Sequence, residues 1–303
     1  MNNSINGSLF MPRLETTSWK TPDLGGFDSI VGGERVFHFL HGNGFCARTL
    51  QPLACQLREQ TLGASDLLFT DLPGHGVSPQ PQRVQPDWNE MAAQVADSIA
   101  SRSRGPVVGI GHSMGGVITL LAAARFPELF TRIVLLDPVL FSSEIILFQR
   151  MMRKTGLWNR TKLVNSVRRR RCEWPNKQTM IDSLKTKPLY RKWDAQALAL
   201  FAEYGSRTND DGSVHLACSP DWEGSIFGSY PRGLWNAVRN LGVPVDIFVA
   251  SQSYGFISGS VDRACRANGN IRRHDIEGSH CFPMEAPETA ARRISVIIAP
   301  DNN

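Results

Sequence analysis

No stretch of this sequence approaches the ~18 consecutive apolar residues that a membrane-spanning helix requires. The opening residues, MNNSINGSLFMPRLETTSWK, have neither a basic start nor a continuous apolar segment, so they do not read as a secretory leader. Six cysteines, at 46, 55, 172, 218, 265 and 281, form no C-x-x-C pair. Such spacing argues against a zinc site or a disulfide framework and suits buried or inert thiols in a reducing compartment. Short repeats and low-complexity tracts are missing as well, which sets aside solenoids and disordered activators. These absences lead us to expect a soluble, cytoplasmic protein.

What is present is ordinary for a globular chain: 42% hydrophobic and 20% charged residues in 303. That length allows one large core with roughly three quarters of the unfolded surface buried. The net charge of +5 is unevenly placed. Residues 150 to 192 hold 14 of the 33 Lys and Arg against only Glu173 and Asp182, so this segment carries +12 and the remainder −7. Its centre, SVRRRRCEW with Arg168, Arg169, Arg170 and Arg171, suggests attraction of an anionic substrate, an acidic partner or, weakly, an anionic membrane surface, against a solvated outer face of a cap helix. Nucleic-acid binding is not expected, because no reading motif accompanies the patch and the rest of the chain is acidic.

The hydrophobic pattern alternates. RVFHFL at 35–40, a segment ending near Asp71, GPVVGIGHS, TRIVLLDP, VPVDIFVA and NIRRHDI each read as a short buried strand. Between them, 47–60, DWNEMAAQVADSIASR, MGGVITLLAAARF, PRGLWNAVRN, a segment near 258–267 and one at 285–298 read as helices. Strands apolar on both faces and alternating with helices predict a mostly parallel sheet covered on both sides. From Pro138 to about 230 the rhythm breaks into a basic, helical-looking stretch with Trp158, Trp174, Trp193 and Trp222. The expected organisation is therefore a core of 1–137 and 231–303 with a helical cap inserted at 138–230.

The segment GIGHSMGGVI, 109–118, begins as a dinucleotide-binding loop would, but Met114 stands where the third glycine of G-x-G-x-x-G belongs. One register on, Gly111 to Gly115 is G-x-S-x-G between a predicted strand and a predicted helix. That turn lifts Ser113 above the carboxyl edge of the sheet, where open α/β folds form their crevices. A serine nucleophile needs a histidine base. His41 and His75 lie in glycine-containing loops, His112 flanks the turn, and His38, His215 and His274 fall in strands or the insert. His280, in the loop EGSHCF before the last helix, returns to the edge that carries Ser113.

HGNGF at 41–45, DLPGHGVS at 71–78, GHSMGG at 111–116 and GSHCFPMEAPE near the end occur in the order and spacing of the α/β-hydrolase fold superfamily, which this chain resembles over about 30–137 and 231–298. The resemblance implies a cap-containing serine hydrolase with no metal or organic cofactor. It places oxyanion donors at Met114 and at Asn43 or Gly44, pocket-wall residues at Phe45 and His112, and structural loop residues at Asp71 and His75. The chain departs from the family at the acid. Members often carry it after the strand that follows the insert, yet here that place reads ASQSYGFIS, without Asp or Glu. Asp137, at the end of the strand after the nucleophile helix, matches an alternative position and is favoured over Glu144 and Asp262; the competing reading is a strand-end cap before proline.

The function expected is hydrolysis of a small to medium acyl or aromatic ester, thioester or lactone through an acyl-serine. Alternatives are a non-hydrolytic small-molecule binder on the same scaffold, a cofactor-free perhydrolase or carbon–carbon hydrolase, and a surface-associated lipid hydrolase. The sequence leaves the oligomeric state open.

Overall fold

The computed structural model describes residues 14–61, 64–81, 85–154 and 161–299. The expectations resting on the first 13 residues and on Trp158 lie outside these residues. Among the described residues there are eleven strands: β1 Thr17–Lys20, β2 Gly25–Ser29, β3 Arg35–Leu40, β4 Ser65–Asp71, β5 Val107–His112, β6 Phe130–Leu136, β7 Glu173–Trp174, β8 Ser206–Thr208, β9 Val214–Leu216, β10 Val245–Gln252 and β11 Ile271–Ser279. Eight form one sheet in the order β1-β2-β4-β3-β5-β6-β10-β11. From β4 to β11 every pairing is parallel, while β2 joins β4, and β1 joins β2, in antiparallel fashion.

The helices are α1 Gln51–Gln60, α2 Trp88–Arg102, α3 Met114–Arg125, α4 Ser143–Lys154, α5 Lys162–Arg168, α6 Lys177–Lys185, α7 Ala195–Tyr204, α8 Pro220–Phe227, α9 Leu234–Asn240, α10 Gly255–Ala267, α11 Phe282–Glu285 and α12 Pro287–Ile298. Each inner strand is apolar on both faces because each face is covered. Along β6, Ile133 and Leu135 join a cluster with Trp88, Val95, Val117, Val238 and Val261 of α2, α3, α9 and α10. Val134 and Leu136 point the other way, into a cluster with Leu53, Leu57, Ile294 and Ile298 of α1 and α12. Phe37, Phe39 and Phe248 are fully buried there, and each such side chain stabilises the fold by roughly 1.5–3 kcal/mol. At the start of α2, Asp87 caps the free N–H groups of Asn89 and Glu90.

Two features differ from the sequence-based expectation. The N-terminal hairpin β1–β2 was not expected; its strands are short, and the parallel strands dominate the pattern. The segment between β6 and β10 is not purely helical, since β7, β9 and β8 form a small antiparallel sheet. Strands of two or three residues carry almost no alternation. The signal that could have found them is Asp211-Gly212 between SRT and VHL, a hairpin turn in which Gly212 takes φ +83°. Trp174, Trp193 and Trp222 are buried here, Trp222 donating its indole N–H to the Pro73 carbonyl at 2.8 Å and so tying α8 to the sheet-edge loops.

Candidate active site

Strand β5 runs directly into α3, and the residue between them, Ser113, is forced to φ 55° and ψ −117°. So sharp a turn brings backbones together. A Cβ on Gly111 would stand 2.6 Å from the Gly115 carbonyl oxygen, and one on Gly115 would stand 2.4 Å from the carbonyl oxygens of Leu40 and His41. Only glycine fits either place. The Ser113 N–H donates to the Leu136 carbonyl at 3.0 Å, which fixes the turn against the end of β6.

Ser113 Oγ lies 2.9 Å from His280 Nε2, and His280 Nδ1 lies 2.6 Å from Asp137 Oδ2. Three strand ends far apart in sequence therefore meet at one edge. Asp137 is fully buried, with φ 48° immediately after β6. Its Oδ1 accepts the Ala250 N–H at 3.0 Å, and its Oδ2 also accepts the Ser253 hydroxyl at 2.5 Å. Both oxygens of the carboxylate are thereby held. Glu144 instead sits on α4 beside Arg263 at 3.6 Å, and Asp262, inside α10, pairs with Arg273 at 2.7 Å; neither contacts His280.

Ser253 was not singled out from the sequence. It lies within ASQSYGFIS, the stretch notable for lacking an acid, and its hydroxyl reaches Asp137, just after β6. The backbone N–H groups of Met114, at the free first turn of α3, and of Asn43 donate to no acceptor among the described residues, and both residues border the cavity beside Ser113. Gly44 does not share that property. Its N–H donates to His75 Nε2 at 3.0 Å, while His75 Nδ1 donates to the Pro73 carbonyl at 3.0 Å, so the expected Gly44 donor is already spent.

His112 corrects a second expectation. It is fully buried and absent from the cavity wall, and its Nε2 donates to the His280 carbonyl at 2.8 Å. Burial pushes its imidazole down to about 3, so it stays neutral and anchors the loop that carries His280. Asp71 and His41 do the same for neighbouring loops. Asp71 accepts the Ala47 and Val77 N–H groups at 2.6 and 2.9 Å, and His41 Nε2 accepts the Leu72 N–H at 3.0 Å.

A cavity of about 350 Å³ opens over Ser113. Phe45, Trp88, Val139, Phe141, Ile226 and Phe256 make its wall largely apolar, with Tyr254 stacked obliquely 4.7 Å from the His280 ring. Two buried polar residues, Glu223 of α8 and Gln149 of α4, also line it. Glu223 explains part of the arginine run. Arg170 Nη1 binds Glu223 Oε2 at 2.7 Å and Arg170 Nη2 donates to the Tyr190 hydroxyl at 2.9 Å. Burial raises the Glu223 carboxyl above its usual range and pushes the Tyr190 hydroxyl up to about 12. Arg168 lies 3.8 Å from Asp221, which leaves Arg169 and Arg171 as the exposed members of the run.

The profile of the alpha/beta hydrolase family matches residues 39–293. The chain belongs to the alpha/beta hydrolase family. Among curated members, an esterase of Mycobacterium tuberculosis is 27% identical over 223 residues, covering 73% of this chain and 67% of the relative. A 2-(acetamidomethylene)succinate hydrolase of Mesorhizobium japonicum is 29% identical over 106 residues, and a lipase of Mycobacterium tuberculosis 37% identical over 99. Those two matches span only about a third of either relative's length, 36% and 35%. The solved structure of the M. tuberculosis esterase superposes with a TM-score of 0.73 at 22% identity, covering 94% of this chain and 91% of that one. This alpha/beta hydrolase has no group of three or more His, Cys, Asp or Glu placed to hold a metal ion among its described residues. Nor is any described helix long and apolar enough to cross a membrane.

Proposed function

We propose that the protein is a serine esterase in which Ser113 is the nucleophile, His280 the general base and acid, and Asp137 the residue that orients and charges-balances the imidazole. The observation that carries this reading is the unbroken chain from Ser113 Oγ to His280 at 2.9 Å and on to Asp137 at 2.6 Å. The esterase and lipase among its curated relatives support the same reaction class.

In the first half-reaction Ser113 Oγ bonds to the ester carbonyl carbon as its proton passes to His280 Nε2. Asp137 keeps Nδ1 protonated and stabilises the imidazolium without taking the proton. The carbonyl oxygen, now negative, lies between the N–H groups of Asn43 and Met114, at the positive end of α3. As the tetrahedral centre collapses, the bond to the leaving oxygen breaks and His280 returns the proton to it. Water then repeats the sequence on the acyl-serine, releasing the acid. The insert at 138–230 acts in this scheme as a lid, since Gln149, Leu189, Glu223, Ile226 and Phe227 all come from it and border the cavity.

Labelling with a fluorophosphonate probe tests the assignment. Wild type should label, Ser113→Ala should not, and Asp137→Asn should lower kcat/KM on p-nitrophenyl esters by roughly 10³–10⁴. A folded wild type that neither labels nor turns over esters would return the scaffold to the non-hydrolytic binder reading.

A further inference from the structure

The chain is basic overall, and its most basic segment lies within the insert that borders the cavity. The cavity itself has the opposite character. Among the described lining residues none is Lys or Arg, and the single charged side chain is Glu223. Arg170 is bonded to the Oε2 of that carboxylate and to Tyr190. Glu223 Oε1 takes no donor among the described residues and faces Gly44, where a Cβ would stand 2.6 Å away. The residue is only 5% exposed, yet this oxygen is not fully covered, so an unbonded acceptor stays open at the cavity wall. Gln149 is 3% exposed, and its Oε1 has no hydrogen-bond partner among the described residues.

Unsatisfied buried polar groups in an apolar wall are costly unless a ligand completes them. The rest of the wall supplies Phe45, Trp88, Phe141 and Phe256, which suit the flat faces of a ring. A ligand carboxylate would find no countercharge here and would meet the Glu223 carboxylate. A hydroxyl would instead satisfy Glu223 or Gln149. We infer that the site takes a neutral ester, aromatic or similarly bulky, carrying a hydroxyl that Glu223 and Gln149 recognise, and that it rejects anionic esters. This rests on the serine esterase reading above and specifies the substrate class of that same site.

The test uses p-nitrophenyl esters of phenylacetic acid bearing a methyl, hydroxyl or carboxylate at ring position 3 or 4. For at least one position, wild-type kcat/KM should be about tenfold or more higher for hydroxyl than for methyl, with carboxylate the poorest by a further tenfold or more. In Gln149→Leu that retains fluorophosphonate labelling, the hydroxyl-to-methyl ratio should fall about tenfold. In Glu223→Gln the carboxylate ester should gain relative to the methyl ester; where that variant fails to fold, Gln149→Leu alone decides. Methyl matching or exceeding hydroxyl at both positions, carboxylate matching methyl, or a ratio unmoved in Gln149→Leu would each overturn the inference. Calorimetric binding of the same esters to Ser113→Ala gives the ranking without turnover. An absence of labelling and turnover in wild type would therefore defeat the esterase reading, while the binding ranking would still decide this one.

Discussion

The carboxyl edge of the parallel sheet and the insert above it both contribute to one cavity, but they hold their polar groups by different means. At the edge, Ser113, Asp137 and His280 follow the ends of β5, β6 and β11, and backbone bonds to Leu136, Phe248 and Ala250 fix the first two. In the insert, Glu223 and Gln149 occupy mid-helix positions, and only packing and the Arg170 pair set their direction. Topology locates the first set. Side-chain contacts locate the second, which is free to vary without disturbing the sheet.

Several experiments sharpen or break that contrast. The largest effect should come from acid, because the sheet, through His38 of β3, and its edge loops, through His41, His75 and His112, rest on buried neutral histidines. Burial pushes His38 and His112 down to about 3 and His75 to about 4, and holds His41 well below its usual value. The unfolded chain binds protons at these groups first, so their stabilisation is present above about pH 6.5 and is lost as pH falls toward 4. At pH 5.5 the loss is about 1.4 kcal/mol for each of His38, His75 and His112. Asp71, pushed up to about 6 by burial, has the opposite sign and offsets part of it. Urea unfolding at pH 7.5 and 5.5 should show a net drop of several kcal/mol; equal stabilities would mean the histidines do not carry the loops.

A smaller effect should appear in the insert. Arg170→Met leaves Glu223 buried without its partner, at a cost of about 3 kcal/mol. Limited proteolysis should then cut the insert earlier while the sheet core resists, and adding Glu223→Gln should restore most of the resistance. If core and insert become sensitive together, the two regions are not separable.

The smallest concerns Ser253. Removing one donor to the Asp137 carboxylate in Ser253→Ala should lower kcat/KM about tenfold without moving the thermal midpoint. Ser253→Thr keeps the hydroxyl and should recover the rate. Loss of stability in place of rate would make Ser253 a structural residue.

The same contrast explains what could be read in advance. Ser113 was legible because a strand-to-helix turn demands glycines at fixed offsets, and His280 because a short loop before a final helix returns to that edge. Asp137 was reachable through the end of β6. Gly44 and His112 were misassigned because the sequence shows neither that His75 turns an imidazole lone pair toward one nor that the other points beneath the His280 carbonyl. Glu223 and Gln149 carry no local signature. Nothing in DWEGS or LFQRM announces that a helix will turn that one side chain toward a cavity built mainly by other segments.

Ser113 and Asp137 are the two non-glycine residues with positive φ among those described, and each such conformation costs about 1–3 kcal/mol. Glycine would relieve both strains at once. Selection for heat resistance alone would thus favour the very substitutions that erase the proposed nucleophile and its proposed acid, so a thermostable variant of this protein should be screened on turnover before it is trusted on melting point.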